Sequence, residues 1–188
     1  MKAPLTYVFF LLLISFSSTC ESSTLEDTCK SFAAGHPSIG YSYCVKTFHA
    51  DNMSATADAR GLAAIAAKIA EVNANGTARR IAALRASEED SRRQERLGVC
   101  AEVYSDAVDQ LGEAAEDIAR GEDKSTRDAL TRLSAALDAP GTCEDAFGEA
   151  DDTSPLLAED AEFRKLATIA LAVAASLFPP PSTLTKCL

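Results

Sequence analysis

The cysteines are the residues of this sequence whose type and spacing indicate a definite chemistry, which is disulfide formation. The chain has 188 residues and six cysteines, of which Cys20 falls in an apolar leader. The five others are Cys29, Cys44, Cys100, Cys143 and Cys187. None of them has the paired spacing of a zinc finger, so we predict no metal site. In an oxidising compartment they would form disulfides, and an odd number leaves one thiol over.

Helix geometry predicts which cysteines pair. Where two antiparallel helices meet at a turn, residues equidistant from the turn lie level with each other. The midpoint of Cys29 and Cys44 falls within GHPS (35–38), and that of Cys100 and Cys143 falls within RGED (120–123). Both segments contain the glycine expected where a helix ends. We therefore predict the bridges Cys29–Cys44 and Cys100–Cys143, with Cys187 unpaired.

The other reactive side chains do not form the pattern of an active site. The two histidines, His36 and His49, both lie near the N-terminus, and no serine stands in a nucleophile elbow. Phosphate-loop and dinucleotide fingerprints are absent from the sequence. Acid pairs such as those in 88–90 and 149–152 fall at predicted helix ends, where solvated carboxylates are ordinary. We predict that the protein is not an enzyme, needs no cofactor and acts by binding.

The first 20 residues have the features of a secretory signal peptide. Lys2 is followed by the apolar run 5–16, and small residues lead up to Cys20. The run is too short for a membrane span, although an uncleaved anchor is the alternative. A second apolar run, 166–178, suits a buried helix better than a span. We expect a soluble protein that is exported.

The net charge is strongly negative. The chain carries 18 basic and 28 acidic residues. Removal of 1–20 takes away one lysine and no acid, which leaves 17 basic and 28 acidic residues and a charge of −11. Long-range repulsion therefore disfavours nucleic acid and anionic membranes as partners. The acids also serve simply to keep a secreted protein soluble, so charge alone names no partner.

The mature chain is predicted to be helical nearly throughout. It is rich in Ala, Leu, Glu and Arg and shows no strand-like alternation. Two short helices are predicted at 25–34 and 38–50, and long helices at 56–86, 90–120, 125–139 (resuming after Pro-Gly through 147) and 154–177. This pattern predicts an all-α fold, namely an up-down-up-down four-helix bundle (56–178) preceded by a disulfide-bridged N-terminal helical hairpin (25–50). Together they form one domain, 21–178, followed by a tail, 179–188.

The apolar pattern differs between the long helices. In the first, Leu62, Ile65, Ile69 and Val72 form a stripe that slips in phase at 73–77, which predicts a bend or a local break. In the second, an unbroken alternation of three and four residues is typical of a bundle seam.

Two local signals complete the pattern. Ser154 followed by a proline predicts the start of the last helix. The sequons at Asn52 and Asn75 are candidate glycosylation sites in an exported chain, and Asn52, which lies between helices, is the better candidate.

Three segments resemble one family, the plant invertase/pectin methylesterase inhibitor domain. They are CKSFAAGHPSIGYSYCVKTF (29–48), the run 100–147 with CAEVYSDAV and SAALDAPGTCEDAF, and the last helix, SPLLAEDAEFRKLATIALAVAASL. The resemblance implies a disulfide-bridged hairpin and a four-helix bundle. It implies a secreted protein of the apoplast or cell wall that forms a stoichiometric complex covering the active-site cleft of pectin methylesterase or of acid invertase. Some similar proteins are pollen allergens of unassigned target.

The resemblance also separates the two targets in part. Invertase-type inhibitors carry Pro-Lys-Phe in the turn after the second bundle helix, and the matching residues here are Asp123, Lys124 and Ser125. The lysine stands beside Glu122 and Asp123, which partly cancel its field at an acidic pocket. The aromatic anchor is missing. The departure favours pectin methylesterase over acid invertase, which stays the alternative together with a non-inhibitory, allergen-like role and carriage of an apolar ligand.

Esterase-type inhibitors use a broader face formed by bundle helices two, three and four. Besides the 123–125 turn, we predict six exposed charged residues as candidates for target contact. They are Glu102, Asp106, Asp109, Glu113, Arg127 and Arg132.

Overall fold

The computed structural model describes residues 25–178. Within that range the chain forms seven α-helices and one 3₁₀ turn, Ser54–Thr56. The helices are α1 (Leu25–Gly35), α2 (Gly40–Phe48), α3 (Ala59–Ser87), α4 (Ser91–Arg120), α5 (Asp123–Leu137), α6 (Ala139–Gly148) and α7 (Leu157–Ala175). The predicted signal peptide, the tail 179–188 and Cys187 lie outside the described residues.

Four helices form the bundle that the sequence predicts. Helix α3 packs against α4 and α7, and α5 packs against the same two helices. Short turns join α3 to α4 and α4 to α5, so these neighbours run antiparallel. Helix α6 follows α5 after Asp138 and packs on the side of α4. The all-α prediction of a bundle preceded by a bridged hairpin is confirmed.

Both predicted disulfides are present. Cys29 and Cys44 join α1 to α2 with their Cα atoms 5.6 Å apart. Cys100 and Cys143 join α4 to α6 with Cα atoms 4.6 Å apart. All four side chains are fully buried. The second bridge therefore fixes α6 against the middle of the bundle.

One tyrosine of the hairpin makes polar contacts with the last bundle helix. The Tyr43 hydroxyl donates to Glu162 Oε1 of α7 at 2.6 Å. Lys165 Nζ lies 5.2 Å from the centroid of the same ring. Burial and the nearby carboxylate both raise the pKa of Tyr43, so the phenol stays protonated and keeps donating.

The buried side of α3 differs from the predicted stripe. Val72 is 62% exposed, and Ile65 and Ile69 are only half-buried. The residues that face the core are mostly small, namely Leu62, Ala63, Ala66, Ala67, Ala70, Ala74, Thr77 and Ile81. This alanine-rich stripe keeps its phase through 73–77, and the helix continues there without interruption. The predicted local break is therefore wrong. The prediction followed the large apolar residues of α3, whereas its buried side is formed mainly by alanines.

The alanine stripe predicts a steric limit at Ala67. Its side chain is fully buried between packed helices, and an added isobutyl group has no space there. We expect Ala67→Leu to lower the free energy of unfolding by about 1–3 kcal/mol. The matched control is Ala82→Leu on the exposed side of α3, which should change it by less than about 0.5 kcal/mol. Urea unfolding followed by circular dichroism measures both, and equal losses would contradict this packing.

The helix ends were predicted with mixed success. Helix α4 ends at Arg120 and is capped by Gly121, whose φ of 80° lies in the left-handed region, as the RGED segment predicts. Helix α7 begins at Leu157, three residues later than predicted. Ser154 does act in the turn, because its Oγ accepts from the Leu156 amide at 3.1 Å. The predicted starts of α5 and α2 are each off by two residues, which is usual for helix ends.

Candidate target-binding face

The turn between α4 and α5 presents a lysine but no aromatic anchor. Asp123 and Lys124 are exposed, whereas Ser125 is only 9% exposed. The Ser125 hydroxyl donates to the Glu122 carbonyl oxygen at 3.0 Å, so the side chain satisfies the helix start. Among the three predicted contact residues in this turn, Ser125 therefore offers a partner little surface.

Buried contacts hold this turn in place. Arg60, at the start of α3, donates through Nη1 to the Ile118 carbonyl oxygen at 3.2 Å and to Thr126 Oγ1 at 3.1 Å. Thr126 is almost fully buried, and its hydroxyl also donates to the Glu122 carbonyl oxygen at 2.9 Å. The backbone at Lys124 is thus fixed from both sides.

Helix α4 presents a row of carboxylates to solvent. Glu102, Asp106, Asp109 and Glu113 are spaced four, three and four residues apart, so they follow one face of the helix. All four are exposed, as predicted. Among residues 25–178, the first three form no salt bridge, which leaves their charges available to a basic partner.

Two of the predicted contact residues are engaged within the chain, and one of them, Arg132, is only partly exposed, contrary to the prediction. Arg132 of α5 pairs with Glu113 and also donates through Nε to Asp117 at 3.1 Å. Asp117 is buried and pairs with Arg120 as well. The charges of Arg132 and Glu113 are therefore largely neutralised by this cluster.

Arg127 lies at the edge of the face. It is exposed, and its guanidinium carbon lies 5.6 Å from the centroid of the Phe178 ring. Within residues 25–178 Arg127 forms no salt bridge, so it and Lys124 are the basic members of the predicted set whose charges remain available.

A groove of about 510 Å³ runs beside the acidic row. It opens where α5 ends and α6 begins, because the chain changes direction around Ala139 and Pro140. Its polar lining includes Asp106 and Gln110 from α4, and Asp138 and Thr142 from the opposite wall. Sequence reasoning missed Asp138 and Thr142, although the segment LDAPG marked the break between the helices.

The second disulfide holds the two walls of the groove together. Thr142 in one wall immediately precedes Cys143, and Cys100 lies on α4, the other wall. The bridge is buried and joins the two helices that form the walls, so it restrains their separation. The arrangement gives a rigid, acidic, concave surface.

The sequons and histidines lie outside this groove. Asn52 is exposed in the turn before α3, and Asn75 is exposed on α3. His36 stacks on Phe32 with ring centroids 4.6 Å apart.

Within the described residues, no set of three or more His, Cys, Asp or Glu side chains is placed to hold a metal ion. No helix in the same range is long and apolar enough to cross a membrane.

The fold is a helical bundle with two disulfides, and its α4 face carries an acidic groove. The chain belongs to the plant invertase/pectin methylesterase inhibitor family, whose family model matches residues 16–173. The family is one of protein inhibitors, and its members act on pectin methylesterase or on invertase.

Individual relatives of the chain carry both kinds of name. This chain is 33% identical over 166 residues to a Platanus acerifolia protein named "Putative invertase inhibitor". The match covers 88% of this chain and 91% of the relative. The chain is 30% identical over 176 residues to the "Pectinesterase inhibitor" of Actinidia deliciosa, covering 89% and 90%. A crystal structure of a mutant pectin methylesterase inhibitor from Arabidopsis superposes with a TM-score of 0.62, at 24% identity, over 74% of this chain and 90% of that one. That likeness supports the fold.

Proposed function

We propose that this protein is a secreted inhibitor that forms a stoichiometric complex with pectin methylesterase and covers its active-site cleft. The observation that carries the proposal is the inward position of Ser125. Invertase-type inhibitors of the family use an aromatic residue at this place, and a buried serine cannot replace such an anchor. The name of the Actinidia relative agrees with this choice.

The acidic groove supplies the alternative contact surface. Asp106 and Asp138 line it, and Glu102 and Asp109 flank it on α4. Carboxylates without intramolecular partners steer and orient a partner that carries basic side chains. An interface of ordinary size needs about 800 Å² from each protein, which the outer faces of α4, α5 and α6 can provide.

Inhibition of acid invertase is the second candidate. Lys124 is exposed at the tip of the α4–α5 turn, and the Platanus relative bears an invertase-inhibitor name. A lysine can enter a carboxylate-lined pocket, but Glu122 and Asp123 beside it weaken its field. For either target we place the protein in the apoplast. We propose that it acts by binding alone, and we assign no catalytic residue to it.

Reversal of one charge separates the two candidates. Lys124→Glu should leave the inhibition constant for pectin methylesterase within about twofold, because exposed rim charges contribute little to affinity. If invertase is the target, the same change should abolish inhibition of that enzyme. Titration of both enzymes with the wild type and the variant shows which enzyme is the target. Lys46→Glu, on the exposed side of α2, makes the same change in charge and serves as the control.

A further inference from the structure

A cluster of three polar side chains lies where α4, α6 and α7 meet, and two of the three are buried. Tyr104 of α4 is fully buried, and Asp160 of α7 is 2% exposed. The Tyr104 hydroxyl donates to Asp160 Oδ1 at 2.5 Å. Glu144 of α6, the residue after Cys143, interacts with the same carboxyl group. This cluster has no part in the proposed target contact.

Two carboxylate oxygens in this cluster lack a donor. Asp160 Oδ2 and Glu144 Oε1 are both buried, and neither receives a hydrogen bond from any described residue. The Glu144 carboxyl group nevertheless interacts with that of Asp160 and raises its pKa. Two ionised carboxylates so placed repel each other, and neither can donate. One proton between them removes the repulsion and satisfies both oxygens.

The surroundings favour that proton. Burial first, and then the Glu144 carboxyl group, raise the pKa of Asp160 to about 8. The Tyr104 hydrogen bond and the positive charge of Arg164, one turn further along α7, act in the opposite direction. The buried residues of α1, α3 and α5, which also pack against α7, are all uncharged. The neighbouring Glu159 is already paired with Arg80 of α3.

We propose that Asp160 and Glu144 share one proton in the folded protein, which makes the junction of α4, α6 and α7 an acid-stabilised contact. The unfolded chain releases this proton near the ordinary pH for a carboxyl group, about 4. Between about pH 4 and 8 the folded state therefore binds one proton more than the unfolded state. This contribution is fully present below that window and is lost as the pH rises through it.

The expected effect is large enough to measure. One extra bound proton lowers the ratio of folded to unfolded protein by up to about tenfold for each unit of rising pH. Glu88 and Asp90 have pKa values below the ordinary range, because backbone amides donate to them, so their contributions change only at more acidic pH. Measurements above about pH 5 therefore exclude these two carboxylates, and the substitutions below assign the remaining pH dependence to the buried pair.

Urea unfolding followed by circular dichroism, at several pH values between about 5 and 8.5, tests the proposal. The chain has no tryptophan, so the helix signal is the suitable probe. The wild-type ratio of folded to unfolded protein should fall by about 100-fold or more across this range. Asp160→Asn should remove most of the fall, since its amide donates to Glu144 and accepts from Tyr104 without titrating. Glu144→Gln should do the same from the other partner, and it serves if the first variant does not fold.

The chain supplies a matched control. Glu162 also accepts from a tyrosine, Tyr43, but it has a lysine beside it instead of a second acid. Glu162→Gln should keep the wild-type pH dependence. The infrared band of a protonated carboxylic acid should also be present in the wild type near pH 6.5 and absent from Asp160→Asn. A flat wild-type profile, or a variant profile equal to the wild type, would overturn the proposal.

Discussion

Asp106→Arg is expected to weaken inhibition of pectin methylesterase by about 100-fold, which corresponds to about 3 kcal/mol of binding free energy. Asp106 is exposed on α4, lines the groove and has no salt bridge within residues 25–178. Reversal of its charge removes an attraction for a basic partner and adds a repulsion in the same place. The loss should be greatest at low ionic strength, because salt screens both effects.

A second substitution on the same helix controls for this result. Glu116 is exposed on α4 but lines the opposite groove, between α3 and α4. Glu116→Arg makes the same change in net charge and should alter the inhibition constant by less than about threefold. Steady-state inhibition with unfolding curves for both variants gives the comparison. Equal losses would show that overall charge, and not this groove, carries the interaction.

Removal of the Cys100–Cys143 bridge is expected to have the largest effect on stability. The bridge closes a loop across 43 residues of sequence, and loop-closure entropy gives about 4 kcal/mol of unfolding free energy for it. Its loss also frees α6, which carries one wall of the groove and one partner of the buried carboxyl pair. We therefore expect the variant Cys100→Ala/Cys143→Ala to lose both stability and inhibition.

The hairpin bridge provides the comparison for this variant. Cys29 and Cys44 are separated by 15 residues, for which the same reasoning gives about 3 kcal/mol. The hairpin does not line the groove, so Cys29→Ala/Cys44→Ala should lose stability and keep its affinity for the target. Chemical denaturation and inhibition assays on both variants distinguish the two bridges. Unchanged inhibition by the Cys100→Ala/Cys143→Ala variant would show that α6 is not part of the contact surface.

The elements that the sequence predicted well are those determined by local chemistry or by distance along the chain. The two disulfides followed from the symmetry of cysteine pairs about their turns. Gly121 ends α4 because it tolerates the left-handed conformation. The exposed acids of α4 followed from helical periodicity. Most of these inferences need only one segment, or two segments related by a single turn; for Cys100 and Cys143 the symmetry held although α6 is separated from α5 by a break at Asp138.

The features that escaped prediction depend on contacts between distant segments. The buried face of α3 is set by how closely its neighbours approach, and alanines allow an approach that larger residues do not. Ser125 faces inward because Glu122 offers it a carbonyl oxygen. Tyr104 and Asp160 are 56 residues apart in sequence, so no local pattern announces their hydrogen bond. The same holds for the groove, whose second wall follows the break between α5 and α6.

The most direct test of the proposed function is a paired titration of residues 21–188, produced in an oxidising host, against a plant pectin methylesterase and a plant acid invertase at mildly acidic pH. We predict stoichiometric inhibition of the esterase, with an end point at one inhibitor per enzyme, and no inhibition of the invertase at the same concentrations. Inhibition of the invertase alone would contradict the account. It would show that Lys124 suffices in the α4–α5 turn without a neighbouring aromatic residue.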